Sequence, residues 1–174
     1  MIDSVRSVEI MAPAGSFEAL QAALDAGADS VYFGVGALNM RAGAAVNFTE
    51  NDLTEVVSRC HKRNVKAYLT LNTIVYDTEI DEVHRLCQCA KDAGIDACIA
   101  GDIAVITYLR KIGIPVHITV QCNVCNIEAV RFYAQFSDVM VLARELSLNA
   151  IAHINKQIVE QNICGPSGKL VRTE

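Results

Sequence analysis

Short β-strand-like runs alternate with amphipathic helix-like segments along almost the whole sequence. The six predicted strands are residues 7–12, 30–35, 66–71, 96–100, 115–120 and 138–142. The six predicted helices are residues 16–26, 49–63, 78–93, 101–111, 126–135 and 147–161. Strict alternation of strand and helix predicts a parallel sheet, because each crossover helix returns the chain to the same end of the sheet.

Residues typical of helix ends support these boundaries. Ser16 and Thr49 are placed as helix N-caps, and Thr49 has an acidic residue, Asp52, three positions later. Gly27 and Gly94 each follow a predicted helix, where glycine permits the left-handed turn that ends it. Both glycines lie in near-copies of one βα unit, AGADSVYF and AGIDACIA.

The parity of side chains within the strands separates two folds that both contain parallel sheets. Strands covered on both faces read as continuous apolar runs, whereas several runs here alternate. One parity carries most of the polar side chains: Glu9 and Met11, then Lys66, Tyr68, Thr70 and Asn72, then Asp96, Cys98 and Asp102, and then His117, Thr119 and Gln121. A barrel with helices outside and one parity inside fits this pattern better than a doubly wound sheet.

Chain length limits how much of a barrel can form. A complete (β/α)8 barrel usually takes ~250 residues, and this sequence has 174. The expectation is therefore an α/β, TIM-barrel-like repeat of about six parallel βα units, an incomplete barrel, in a single domain over residues 1–174. Residues 164–174 include Gly165, Pro166 and Gly168 and predict a turn and an exposed end.

Composition narrows the class of protein. The formal net charge is −5, which argues against a nucleic-acid grip built by this segment alone, because phosphate contacts need clustered Lys and Arg. No apolar stretch reaches the ~20 residues of a membrane helix, and the N-terminus lacks signal-peptide features, so we expect a cytoplasmic protein with no membrane partner. Seven cysteines, an odd number, argue against a disulfide framework.

Polar residues follow the predicted strands at the end where parallel α/β folds bind ligands. The candidate substrate-binding residues on this rim are Asn39, Arg41, Asn72, Asp102, Gln121, Asn123, Arg144 and Glu145. Arg41 and Arg144 would suit a carboxylate or phosphate. The loop before Ser16 leads into a helix N-terminus, which also favours an anion.

Candidate acids and bases are fewer, and the catalytic residues stay unassigned. Glu9, Asp102 and Glu145 are candidates if burial moves a pKa toward neutrality. His117 fits either a general base or an interior histidine held by hydrogen bonds.

Neither a metal site nor a hydrolase motif is apparent in the sequence. Cys122 and Cys125 form a single C-x-x-C, a pattern of redox pairs and of half metal sites, but no second half accompanies it. We therefore predict no metal site and no cofactor in this chain. Neither G-x-S-x-G nor H-E-x-x-H occurs.

Five stretches together resemble the collagenase-like peptidase family, whose catalytic type is formally unknown. They are EIMAPAGSFEALQAALDAGADSVYFGVGALNMRAGAAVNFT (9–49), VKAYLTLNTIVYD (65–77), AGIDACIAGDIAV (93–105), IPVHITVQCNVCN (114–126) and VMVLARELSL (139–148). The resemblance implies a barrel-like N-terminal domain. In longer members it also implies a downstream iron–sulfur cluster held by cysteines. Cys122 and Cys125 stand within a family pattern matched by Gln121, Asn123 and Asn126, and so are not expected to be cluster ligands.

Three functions follow as hypotheses. The first is the substrate-binding, N-terminal barrel portion of a peptidase, as the resemblance implies. The second, implied by other members, is hydroxylation of a base in transfer or ribosomal RNA, with the iron–sulfur chemistry supplied downstream. The third is a non-catalytic scaffold that self-associates, because unpaired strand edges are open to pairing with another chain.

Overall fold

A computed structural model describes residues 8–36, 38–39 and 48–174. Its seven strands are β1 (Met11–Pro13), β2 (Ser30–Gly34), β3 (Lys66–Leu71), β4 (Ala97–Ala100), β5 (Val116–Ile118), β6 (Val139–Met140) and β7 (Arg172–Thr173). Its six α-helices are α1 (Phe17–Asp25), α2 (Leu53–His61), α3 (Ile80–Ala93), α4 (Ile103–Ile112), α5 (Ile127–Tyr133) and α6 (Leu148–Glu160). All six predicted strands and all six predicted helices are present.

The strands form one parallel sheet in sequence order, from β1 to β7. The helices lie on its outer face, so the fold is an incomplete α/β barrel, as the parity argument predicts. Within the described residues β1 and β7 do not pair with each other, and a cleft of about 550 Å³ separates them. None of the described helices is long and apolar enough to cross a membrane.

Capping residues begin and end the helices close to the boundaries that the sequence predicts. The Ser16 hydroxyl accepts a hydrogen bond from the Ala19 N–H, at 3.2 Å, and caps α1. Thr49 and Asp52 form a capping box before α2. Gly94 ends α3 with a φ of 80°, a left-handed conformation that glycine adopts without strain.

The apolar core lies between the sheet and the helices. Outward-facing strand residues such as Val31, Phe33, Leu69 and Ile118 are almost fully buried there. They pack against the apolar stripes of the helices, for example Leu109 of α4. Burial of such side chains is worth roughly 1.5–3 kcal/mol each, so this outer layer holds the sheet in its curve.

The inner face of the sheet encloses a lumen of mixed polarity. Strand register places Tyr32, Tyr68 and Ala97 on this face, and likewise Ile99 with His117. The predicted lumen positions on β3 and β5 are confirmed, but those on β4 are wrong. Cys98 lies in the outer core, while Ala97 and Ile99 form a small inner cluster with Tyr68.

Asp96 accounts for the misplaced parity of β4. It precedes the strand, and its carboxylate accepts the Ala67 N–H at 2.7 Å and contacts the His61 ring at 2.9 Å. The polar side chain therefore ties the start of β3 to α2 and does not line the lumen. Cys98 behaves as a small apolar residue, as buried thiols usually do.

The chain's last residues keep the predicted turn and are largely exposed, but they also form a strand that the sequence does not predict. After the turn at Gly165 and Gly168, residues Arg172–Thr173 form β7 and pair in parallel with β6. The backbone N–H groups of Arg172 and Glu174 donate to the carbonyls of Asp138 and Met140, both at 2.9 Å. The sheet thus has seven strands, one more than the sequence predicts.

Candidate functional site

A pocket opens at the C-terminal ends of β3, β4 and β5, the end at which parallel α/β folds bind ligands. Its volume is about 460 Å³. We call it the mouth pocket, and define it by the residues that line it: Asn72, Thr73, Ile74, Gly101, Asp102, Gln121, Cys122 and Tyr133. Three predicted rim residues, Asn72, Asp102 and Gln121, therefore lie in one cavity.

Asp102 connects two walls of the mouth pocket. Its side chain caps α4 by accepting the Ala104 N–H at 2.8 Å. Its other carboxylate oxygen accepts the Val75 N–H at 3.1 Å, from the loop after β3. Because both oxygens receive backbone hydrogen bonds, this carboxylate positions the pocket walls.

The wall from the fifth βα unit is fixed in a similar way. After β5 the chain makes a short 3-10 turn, Val120–Cys122, that ends at Asn123 in a left-handed conformation. The Cys122 sulfur lies 3.6 Å from the carbonyl oxygen of Gly101 and interacts with the Tyr133 hydroxyl of α5. Burial raises the pKa of the Cys122 thiol, so this cysteine is a weak nucleophile at neutral pH.

Close packing beneath the mouth pocket explains the glycine after β4. A Cβ added to Gly101 would lie 2.8 Å from Cγ2 of Thr119, a buried side chain. The Thr119 hydroxyl in turn donates a hydrogen bond to the Gln121 side chain. Gly101 therefore lets the ends of β4 and β5 approach closely enough to place Gln121 at the rim.

The remaining predicted rim residues lie elsewhere. Asn39 is buried after β2, and its amide donates to the Gly36 carbonyl at 3.1 Å. Asn123 is exposed beside the mouth pocket without lining it, and Arg144 and Glu145 are exposed in the turn after β6. Arg41 lies outside the described residues, so the expected pair of guanidinium groups stays a prediction.

A partly exposed ion pair lies on the inner face of the sheet, at the end of β3 opposite the mouth pocket. Glu9 accepts hydrogen bonds from the Lys66 ammonium at 2.8 Å and from the Tyr68 hydroxyl at 2.6 Å. Burial alone would raise the pKa of Glu9, but hydrogen bonds from Lys66, Tyr68 and Ser30, with the charge of Lys66, outweigh it and lower the pKa to about 2. Glu9 is therefore ionised at neutral pH. It stabilises the fold and takes no part in proton transfer at the mouth pocket.

His117 also lies in the lumen. Its ring is buried 4.7 Å from the ring of Tyr68, and its Nδ1 atom has no hydrogen-bond partner among the described residues. Burial lowers the pKa of His117 to about 4, so the imidazole is neutral at pH 7. It is not among the residues that line the mouth pocket.

The described residues do not fit an iron–sulfur cluster, the cofactor that the family resemblance implies for longer members. Such clusters are usually held by four cysteines. Cys122 and Cys125 stand alone at this end of the barrel, and no group of three or more His, Cys, Asp or Glu among residues 8–36, 38–39 and 48–174 is placed to hold a metal.

Sequence reasoning missed the apolar half of the mouth pocket. Ile74 and Tyr133 were not candidates, because an isolated apolar residue in a loop or helix is ordinarily part of the core. Ile74 is in fact 74% exposed. The available signal was the run Thr73-Ile74-Val75-Tyr76, which is apolar although it follows the end of a strand.

Comparison with known proteins assigns the family. The profile of peptidase family U32 matches residues 15–164. This chain belongs to peptidase family U32. The match confirms the resemblance seen in the five stretches of sequence and covers every strand of the barrel from β2 to β6.

Two curated relatives of this U32 chain carry different functional names. A collagenase of Porphyromonas gingivalis is 50% identical over 171 residues, covering 98% of this chain and 41% of the relative. The tRNA hydroxylation protein P of Helicobacter pylori is 33% identical over 157 residues, covering 88% of this chain and 37% of the relative. The U32 chain thus spans about two fifths of the length of these relatives.

The fold agrees with that of a solved U32 structure. The structure of the U32 peptidase Mk0906 superposes with a TM-score of 0.67 at 13% sequence identity, covering 91% of this chain and 68% of that one. At this low identity the likeness concerns the fold alone. It supports the incomplete barrel and adds nothing about the substrate.

Proposed function

We propose that this chain is the substrate-binding barrel of a U32 peptidase, and that the mouth pocket binds the peptide groups of the substrate. The supporting observation is the chemistry of its lining: two carboxamides, Asn72 and Gln121, and, among the residues that the structure describes, no lysine or arginine. A carboxamide donates through its NH2 group and accepts through its oxygen. The Gln121 oxygen already accepts the Thr119 hydroxyl, so its NH2 group is the part that would donate to the C=O group of a peptide unit.

Charge favours a peptide over a polynucleotide. Nucleic-acid binding takes much of its affinity from Lys and Arg contacts with phosphate, and none of the described residues that line the mouth pocket is cationic. The one charged side chain there, Asp102, already accepts two backbone hydrogen bonds. A neutral ligand thus suits this pocket better than an anionic one.

The proposal assigns substrate binding, not bond cleavage, to the described residues. Peptide hydrolysis needs an activated nucleophile or a metal-bound water. Cys122, the one thiol lining the mouth pocket, has a raised pKa, and its contacts are with a carbonyl oxygen and a tyrosine hydroxyl. We therefore assign no nucleophilic role to Cys122.

Calorimetric titration of blocked tripeptides into the protein tests the binding role. We expect the double variant Asn72→Ala with Gln121→Ala to bind about tenfold more weakly, because each lost hydrogen bond is worth about 0.5–1.5 kcal/mol. Asn149→Ala removes an exposed amide from α6 and is the matched control. Equal binding by the double variant and the control would refute the assignment.

A second function has support from the relatives. The tRNA hydroxylation protein P of Helicobacter pylori matches 88% of this chain, so hydroxylation of an RNA base is the alternative. Its iron–sulfur chemistry would be supplied downstream, since the described residues do not fit a cluster. Loss of a hydroxylated nucleoside in RNA from a strain lacking the gene would support this alternative. An unchanged nucleoside profile would leave the peptidase proposal standing.

A further inference from the structure

One side of the mouth pocket is apolar and open to solvent. Ile74 lines it and is 74% exposed, and the ring of Tyr133 and the sulfur of Cys122 complete this side. Two other apolar residues nearby are exposed: Tyr76 follows Val75 in the sequence, and Ile103 follows Asp102. The Val75 N–H donates a hydrogen bond to the Asp102 carboxylate. An apolar surface beside a polar rim is typical of a ligand site.

The apolar side is held in place before any ligand arrives. The Val75 N–H bond to Asp102 fixes the loop that carries Ile74 onto α4. The contacts of Cys122 with Gly101 and Tyr133 fix the rest of this apolar side to β4 and α5. A ligand therefore meets preformed walls, which reduces the ordering cost of binding.

The described lining residues disfavour charged ligand groups. They offer no cation for a carboxylate or phosphate, and the Asp102 oxygens are engaged with backbone N–H groups and so are weakly available to an incoming cation. Water displaced from Ile74 and Tyr133 by an apolar group adds favourable free energy. The group that fits beside the carboxamides is thus an uncharged, apolar one.

We infer that the mouth pocket selects an apolar amino-acid side chain of the bound peptide, and that Ile74 is a specificity-determining contact. This inference rests on the proposed peptide-binding function and extends it to the class of side chain. The carboxamides would hold the peptide group while the apolar wall receives the side chain next to it.

Cys122 supplies a readout that does not depend on activity. Its sulfur lines the mouth pocket and is partly buried, so a bound ligand should slow its alkylation. Cys125 is exposed and is not among the lining residues, so it should be alkylated at the same rate with or without ligand. Fragment-ion mass spectrometry reads the two cysteines separately within one protein.

The experiment measures protection of Cys122 from iodoacetamide at alkaline pH, where more of this thiol is ionised than at neutral pH. The protecting ligands are acetyl-Gly-Xaa-Gly-amide peptides, where Xaa is leucine, glycine, aspartate or lysine. We expect the leucine peptide to give half-protection at about a tenfold lower concentration than the glycine peptide. The two charged peptides should be no better than glycine. In Ile74→Ser the leucine advantage should fall to about threefold or less.

Leu148→Ser is the matched control, since Leu148 is 84% exposed on α6 and is not among the residues lining the mouth pocket. It should keep the tenfold leucine advantage. Equal protection by leucine and glycine, a preference for a charged peptide, or an unchanged advantage in Ile74→Ser would overturn the inference while leaving peptide binding intact. Absence of protection by every peptide would instead overturn the proposed function together with the inference.

Discussion

The lumen ion pair predicts how stability depends on pH. Glu9 has a pKa of about 2 in the folded chain against an ordinary value of 4.5. The ionised form is therefore favoured by folding. It contributes stability that is fully present above pH 4.5 and is lost as the pH falls toward 2. Glu9→Gln should remove that contribution.

The solvent exposure of the two side chains determines how much the ion pair adds to the free energy of unfolding. A shift of this size, fully expressed, corresponds to about 3 kcal/mol. The Glu9 side chain is 25% exposed and that of Lys66 is 49% exposed, so solvent screens the pair. We expect Glu9→Gln to lower the free energy of unfolding by about 1–2 kcal/mol at pH 7.

Urea unfolding followed by circular dichroism at a series of pH values tests this expectation. The difference in free energy of unfolding between Glu9→Gln and wild type should be largest at neutral pH. It should shrink below pH 4.5, because there Glu9 binds a proton in the unfolded wild type but not yet in the folded one. Glu82→Gln, which removes an exposed carboxylate from α3, is the control. A Glu9→Gln difference that is constant with pH would show that the lost stability does not come from the charge.

Two further predictions concern the packing below the mouth pocket and the sheet edges. Gly101→Ala should destabilise the protein by about 1–3 kcal/mol, because the added methyl group would lie 2.8 Å from the buried Thr119 side chain. Thermal unfolding measures this loss, and an unchanged midpoint would contradict the packing argument. The unpaired edges of β1 and β7 predict self-association, and a constant monomer mass in light scattering over rising concentration would count against it.

The sequence was sufficient to predict the barrel, because the polarity of alternate side chains along a strand indicates which face of the sheet is buried. On β3 and β5 the polar and apolar positions alternate and the structure agrees. On β4 a single polar residue, Asp96, misled the assignment. Its carboxylate accepts the Ala67 N–H near the start of the neighbouring strand β3, and parity alone does not distinguish such a carboxylate from one that lines the lumen.

Short strands and loop side chains were harder to predict. The two residues of β7 follow a Gly- and Pro-containing turn, and pairing with β6 decides their conformation more than their own composition does. At the site, strand order predicts that Asn72, Asp102 and Gln121 end up near one another. The exposed position of Ile74 depends on how its loop is bonded to Asp102, a tertiary contact that no local pattern encodes.

The mouth pocket is built on the three middle strands of the sheet, each of which has a hydrogen-bonded neighbour on both sides. Opening these strands requires breaking two ladders, whereas β1 and β7 each belong to one. Amide protons should therefore exchange with solvent most slowly beneath the ligand site and fastest along the cleft. A binding surface placed in this way keeps its shape while the margins of the barrel fluctuate.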